Sequence, residues 1–271
     1  MEREILRLAE ELDTDAGAVR LLEGARIALP PARLHALAEA LTQKDGYGKA
    51  VQALERELPP AENGGFGILA VMLRAALRTR EMYAARGIPD GIFLGTMRCF
   101  PRLLREHLES YGRYGFDRAF WTGRQLSLTL FRLGELEYEL LPGEKGVLSL
   151  HIPSDADLSE EKTDASLRMQ ESFFAEYFPA YAGADIYCDS WLLSPALKGL
   201  LPEGSRILAF AARFRLLSAD AEAQGYRQWV FKNPSLSPEE FPERTSLQRN
   251  MKKFVLAGGK VGSGRGILLK K

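Results

Sequence analysis

The sequence predicts an α+β protein, a helical first part joined to a mixed α/β sheet domain, and three observations carry that expectation. Apolar residues recur with a helical period as far as residue 111. Around residue 131 the period changes to two, the spacing of a strand with two different faces. From there to residue 256, strand-like and helix-like stretches alternate. These features place a helical domain over residues 1–118 and a sheet domain over residues 119–271.

Ile5, Leu8, Ala9 and Leu12 stand at i, i+3, i+4 and i+7 and share one face of a first helix. Thr14 is placed to cap a second helix carrying Val19 and Leu22, with Gly24 just past its end. Pro30-Pro31 opens a third helix with Leu34, Leu37, Ala38 and Leu41. A fourth follows Gly48 with Val51, Leu54 and Leu58. The stretch Gly65 to Arg86 is apolar on most sides, as expected of the central helix. Helical pattern resumes past Pro89 to Tyr111, and Gly112-Arg-Tyr-Gly115 breaks it. Residues 116–131 fit a helix or a strand equally well.

In Gly134-Glu-Leu-Glu-Tyr-Glu-Leu-Leu141 the glutamates alternate with Leu136, Tyr138 and Leu140, which predicts a strand whose Glu135, Glu137 and Glu139 face solvent. Pro142-Gly-Glu-Lys-Gly146 reads as a hairpin turn and Val147 to Ile152 as the returning strand. A helix follows from Asp164 to Phe178 with Leu167, Phe174 and Phe178 inward. Ile186 to Leu193 reads as a strand, and Ser194 starts a short helix. Arg206 to Leu217 is the longest strand expected and Gln228 to Phe231 a shorter one. Thr245 caps a helix to Leu256, and a glycine-rich tail ends on Gly266-Ile-Leu-Leu269.

Composition narrows the classes. Of 271 residues, 46% are hydrophobic, and 36 basic residues balance 36 acidic ones, so the chain can build a core and no net charge opposes collapse. A zero net charge argues against coating nucleic acid. No apolar run approaches the roughly 20 residues needed to span a bilayer. The acidic, amphipathic start MEREILRLAEELDTD lacks the features of a signal peptide. Two cysteines, Cys99 and Cys188, are too few for a disulfide framework, so the expected setting is reducing and cytoplasmic, with neither membrane nor nucleic acid as partner. Three scattered histidines and no paired C-x-x-C or H-E-x-x-H motif predict no metal site.

Three features can carry chemistry. In Val147-Leu-Ser-Leu-His-Ile152, His151 faces away from the leucines and ends a strand that runs into the polar loop Pro153-Ser-Asp-Ala-Asp157. An imidazole there suits a general base near neutral pH, or a histidine that fixes the turn by bonding the loop carboxylates. In Tyr187-Cys-Asp-Ser-Trp191, Cys188 and Ser190 share one face and Asp189 and Trp191 the other. Cys188 or Ser190 can serve as nucleophile, proton donor or ligand hydrogen-bonding group, or simply pack a strand. No G-x-S-x-G elbow surrounds them. Finally, no acidic residue follows Glu243, whereas the tail carries eight Lys or Arg and repeated glycines. Lys260, Gly262, Gly264 and Arg265 are its best anion-binding group, because glycine lets backbone N–H groups approach an anion closely and the cations add charge. The other reading is a solvated basic terminus with turns.

Leu133-Gly-Glu-Leu-Glu-Tyr-Glu, Leu150-His-Ile-Pro-Ser, Cys188-Asp-Ser-Trp-Leu-Leu-Ser-Pro and Ser205-Arg-Ile-Leu-Ala-Phe follow one another in an order that resembles a known family. It is the two-domain bacterial acyltransferases, which pair a helical N-acyltransferase N-terminal domain with a GNAT-like C-terminal domain. Tyr83-Ala-Ala-Arg-Gly-Ile-Pro-Asp and Thr245-Ser-Leu-Gln-Arg extend the resemblance over nearly the whole chain. It implies a GNAT-like mixed sheet and transfer of an acyl group, acetyl by expectation, from an acyl-coenzyme A co-substrate to an amine of a small molecule or peptide. For such a transfer, the candidates read from the residues themselves are expected to divide the work: His151 deprotonates the amine directly or through a water, Cys188 or Ser190 protonates the departing thiolate, and Lys260, Gly262, Gly264 and Arg265 meet the coenzyme A phosphates. The glycine signature Gln/Arg-x-x-Gly-x-Gly/Ala of GNAT proteins is not met: Gly259 and Val261 stand where Gln or Arg would precede Gly262 and Gly264. That departure leaves a GNAT-like ligand-binding or regulatory protein as the alternative, and a hydrolase using Ser190 or Cys188 as a third.

Overall fold

The computed structural model describes residues 2–141 and 146–270. The chain forms two compact units, Met1–Leu133 and Gly134–Lys271. The first unit thus contains residues 119–133, which the sequence reading had assigned to the second domain.

The first unit holds nine α-helices among the described residues. They are α1 (Arg3–Glu11), α2 (Ala16–Glu23), α3 (Pro31–Leu41), α4 (Tyr47–Glu57), α5 (Pro60–Asn63), α6 (Phe66–Ala85), α7 (Asp90–Met97), α8 (Cys99–Tyr111) and α9 (Ala119–Leu126); strand β1 (Leu130–Leu133) follows. α6 is the centre expected of it: residues on all its sides are buried, from Phe66 to Tyr83, and α1, α2, α3, α7 and α9 pack on it. Its buried Thr79 hydroxyl donates to the carbonyl of Leu126 at 2.7 Å and ties α9 down. Two details differ from the sequence reading. Asp15, not Thr14, occupies the cap position of α2, and its side chain makes no cap hydrogen bond. The single helix expected after Pro89 is two, α7 and α8, joined at Arg98, whose near-zero ψ turns the chain.

In the second unit come β2 (Leu136–Leu141), β3 (Val147–His151), α10 (Glu160–Tyr177), β4 (Asp185–Ser190), α11 (Arg206–Ala211), β5 (Phe214–Asp220), α12 (Gly225–Trp229), α13 (Ser246–Leu256) and β6 (Ser263–Leu268). The strands form a six-stranded mixed sheet in the order β1-β2-β3-β4-β6-β5. β2 and β3 are antiparallel, with Glu137 opposite His151 and Leu141 opposite Val147. The turn expected over Pro142–Gly146 lies largely outside the described residues. α10 then crosses over so that β4 lies parallel to β3, a β-α-β connection where the sequence suggested only a helix between strands. Thr163, Ser166, Gln170, Phe173 and Phe174 form the buried stripe of α10. The Ser166 hydroxyl accepts the N–H of Leu136 and bonds the Tyr138 hydroxyl.

Three expectations are corrected here. The long strand expected over Arg206–Leu217 is helix α11 followed by β5, and the strand expected over Gln228–Phe231 is instead the end of α12 and the residues after it. Both segments are short apolar runs, whose periodicity does not separate helix from strand. They serve a second small core, in which Tyr226, Val230, Phe231, Phe241, Met251 and Leu197 pack together and the Phe231 and Phe241 rings stack at 3.9 Å. The glutamate face of β2 is not a wet one: Glu137 is only 2% exposed. Glu135 accepts the N–H of Asp157, and Glu139 pairs with His151. Alternation assigns residues to a face but does not say what covers it.

Candidate functional site

The parallel ladder between β3 and β4 runs over three pairs, Val147–Asp185, Leu148–Ile186 and Ser149–Tyr187, and stops there. Both strands continue, β3 to His151 and β4 to Ser190, so their carboxyl ends run on past the last ladder pair. The carboxyl ends of parallel strands are where α/β sheets hold ligands. The loop after β3 leads directly into the amino end of α10.

Register decides which side chains meet. Ser149 opposite Tyr187 puts Glu137, Glu139, Ser149, His151, Tyr187 and Asp189 on one face. Leu148, Leu150, Cys188 and Ser190 lie on the other. His151 Nε2 is 2.8 Å from Glu139 Oε2, and both side chains are mostly buried, at 21% and 14% exposure. The carboxylate accepts the Nε2–H and holds the ring at the strand end. Glu139 was missed as a site residue, although alternation already placed it on the face that His151 occupies.

Cys188 is fully buried, and burial first, then the charge of Asp189, pushes its thiol up to about 12. It therefore stays a neutral thiol at ordinary pH. Ser190 is half-buried; its Oγ accepts the N–H of Leu192 and caps the 3-10 turn Trp191–Leu193, while its own O–H remains a donor. The structure thus gathers His151 and Ser190 at one end of the sheet but on opposite faces.

The tail residues come to the same end, because β6 runs antiparallel to β4 and pairs Gly264 with Ser190. Their glycines have a packing reason. A Cβ on Gly264 would meet the backbone of Leu193, and one on Gly266 would touch Phe214 and Leu193, so the 3-10 turn lies directly on β6. Gly262 has φ +69° and faces the backbone of Asp220 and Ala221. Lys260 pairs with Glu222. Arg265 points to the His151 face, with its guanidinium 5.5 Å from the Tyr187 ring centroid, opposite Asp189 on β4.

A second charged group surrounds the start of α10. Asp157 accepts hydrogen bonds from the Ser159 N–H and from Arg206 and pairs with Lys162; the Ser159 N–H first, then Lys162, hold its carboxyl below the usual carboxylate range. Arg213 donates to Asp164. Among the described residues no group of three or more His, Cys, Asp or Glu could hold a metal ion, and no helix is long and apolar enough to cross a membrane.

The chain thus combines a helical first unit with a mixed sheet that has a parallel central pair and a charged strand end. The N-acyltransferase N-terminal domain family matches residues 3–128, and the GNAT-like C-terminal domain family matches residues 130–268. The chain belongs to this two-domain GNAT-like family. It is similar to the structure of an acyltransferase in complex with decanoyl-CoA and teicoplanin, at 26% identity and TM-score 0.83, covering 98% of this chain and 88% of the other. An octanoyl-CoA complex of an acyltransferase mutant matches at 26% identity and TM-score 0.84, over 100% and 88% of the two chains. A complex of an acyltransferase with CoA and 10C-teicoplanin matches at 26% identity and TM-score 0.83, again over 98% and 88%. No curated protein matches the sequence.

Proposed function

We propose that this protein transfers an acyl group from an acyl-coenzyme A to an amine of a small molecule or peptide, in a cytoplasmic setting. The observation that carries the reading is the His151–Glu139 pair at the end of a parallel strand whose ladder has already stopped. Support comes from the family match over both units and from relatives seen with decanoyl-CoA, octanoyl-CoA and CoA.

In this reading His151 takes a proton from the attacking amine, and Glu139 stabilises the imidazolium that forms. The new C–N bond forms as the C–S bond breaks. The coenzyme leaves as a thiolate and takes up, by way of solvent, the proton that His151 removed from the amine; Ser190, on the opposite face, caps the 3-10 turn. Cys188, a weaker acid than the thiol it would have to protonate, keeps a packing role. Lys260 is the tail contact for the coenzyme phosphates, while Gly262 and Gly264 serve the close packing of β6, and Arg206 and Lys162 at the amino end of α10 add positive charge. Acetyl is the donor the sequence suggested, and the relatives carry longer chains, so donor length is part of the test.

Thermal unfolding with coenzyme A, acetyl-CoA and octanoyl-CoA comes first. A ligand at 100 times its dissociation constant stabilises by about 2.7 kcal/mol, a shift of several degrees. His151→Ala is expected to keep that protection and lose amine acylation. No protection by any of the three ligands overturns the reading. Protection without turnover on any amine favours the ligand-binding alternative, which the unmet glycine signature also supports.

A further inference from the structure

The face that carries His151 continues across three more strands, and its layout is ordered. One row runs Ser149, Tyr187, Ile267, Arg215 across β3, β4, β6 and β5; the next runs Asp189, Arg265, Ser218 across β4, β6 and β5. Asp189, Arg265, Arg215 and Ser218 are all exposed. Asp189 and Arg265 stand directly opposite each other, a spacing of about 4.5–5.5 Å between Cα atoms in an antiparallel pair. They nevertheless form no ion pair, and the Asp189 carboxylate makes no hydrogen bond among the described residues. The Arg265 guanidinium lies over the Tyr187 ring instead. One negative and one positive group are therefore presented side by side, unspent, on the face of the proposed base. An exposed pair of this kind contributes little to holding a sheet together.

We propose that Asp189 and Arg265 form the acceptor subsite, and that the acceptor is a zwitterion, an amino acid or short peptide whose ammonium meets Asp189 and whose carboxylate meets Arg265. This rests on the acyltransferase reading for its purpose, not for its geometry. The amine docks as its ammonium on Asp189, one strand from His151 on the same face, and is deprotonated there. A carboxylate on the same molecule satisfies the guanidinium by charge-assisted hydrogen bonds.

The test is calorimetric titration of the whole protein at neutral pH with glycylglycine and with its ethyl ester, which keeps the ammonium and lacks the carboxylate. Asp189→Asn is expected to weaken binding of both probes by at least about tenfold, the usual scale for losing a hydrogen bond to a charged group. Arg265→Gln is expected to weaken the dipeptide to the same extent and leave the ester unchanged. Circular dichroism confirms that both variants are folded. No saturable binding of the dipeptide by the unmodified protein, or equal affinities in all three proteins, overturns the subsite. The titration needs no donor, so it is read separately from thermal protection by coenzyme A, acetyl-CoA and octanoyl-CoA: absence of protection by all three refutes the acyltransferase reading and leaves the subsite standing.

Discussion

Gly264→Ala separates two explanations of the glycine-rich tail. The added methyl would stand 2.8 Å from the carbonyl carbon of Leu193 and closer still to its oxygen, with Leu216 Cδ1 at 2.9 Å. The leucine methyl is the free end of an exposed side chain and can swing away. Leu193 cannot do so alone, because it belongs to a 3-10 turn tied at both ends, through Leu192 N–H to Ser190 and Ser194 N–H to the Trp191 carbonyl. Either the turn lifts or β6 shifts between β4 and β5. Overpacking of this kind costs about 1–3 kcal/mol, and a backbone obstacle puts Gly264→Ala near the upper end. At about 2–4 °C per kcal/mol that is a fall of about 6–12 °C in Tm. Gly95→Ala, in the middle of α7 with nothing within 4 Å of the new Cβ, serves as the control. It is expected to gain about 0.5–1 kcal/mol. Differential scanning calorimetry measures both, and octanoyl-CoA binding is measured well below the transition. The packing argument requires a large loss of stability and an unchanged donor affinity. An undiminished Tm with donor binding lost would show that the glycine is there for a phosphate and would refute the reasoning.

Two other predictions concern stability. Burial raises the Cys188 thiol from 9.0 to about 12 in the folded protein, so the folded form keeps its proton to higher pH than the unfolded form does. That contribution is fully present below pH 9 and is lost as pH rises above it, at up to about 1.4 kcal/mol per pH unit. The advantage of the unmodified protein over Cys188→Ala in urea unfolding should therefore shrink above pH 9, and a constant difference would contradict the buried thiol. Thr245 accepts the Gln248 N–H at the start of α13, and Gln248 bonds back to the Thr245 N–H and on to the Val230 carbonyl. Thr245→Ala is expected to cost about 1 kcal/mol, read as a lower urea midpoint, with no change at the sheet end.

The helical half was readable in the sequence because its information is local. Ile5, Leu8 and Ala9 are buried on α1 as their spacing demanded, Pro31 sits at the first position of α3, and α6 is buried where its stretch is apolar on most sides. The failures are where local pattern is silent. Arg206-Ile-Leu-Ala-Phe-Ala211 is as good a strand as a helix by composition. It becomes α11 because Ser205 leads into a turn whose far end places Phe210 against Phe214, with ring centroids 5.4 Å apart. Residues 116–131 were undecidable for the same reason and contain both answers, α9 and then β1.

The site was legible in parity and not in partnership. Alternation alone set His151 and Ser149 apart from the leucines of β3, the glutamates apart from the apolar residues of β2, and Cys188 and Ser190 on one side of β4. A one-residue slip between β2 and β3 would have set His151 against Tyr138 and driven it into the apolar face. The parity was therefore forced by the leucines, and the His151–Glu139 contact needed only the offset between two neighbouring strands. The relation of His151 to Cys188 is of another kind. It depends on β4 joining β3 in parallel after an 18-residue helix, a pairing no nearby residue encodes. Proposing these residues as one acid–base set required that register, and the register separates them by the thickness of the sheet. Residues that truly share the His151 face are those the parallel pairing adds, Tyr187 and Asp189. That is why the search for what binds beside the base leads from β3 to β4 and β6 rather than to the thiol.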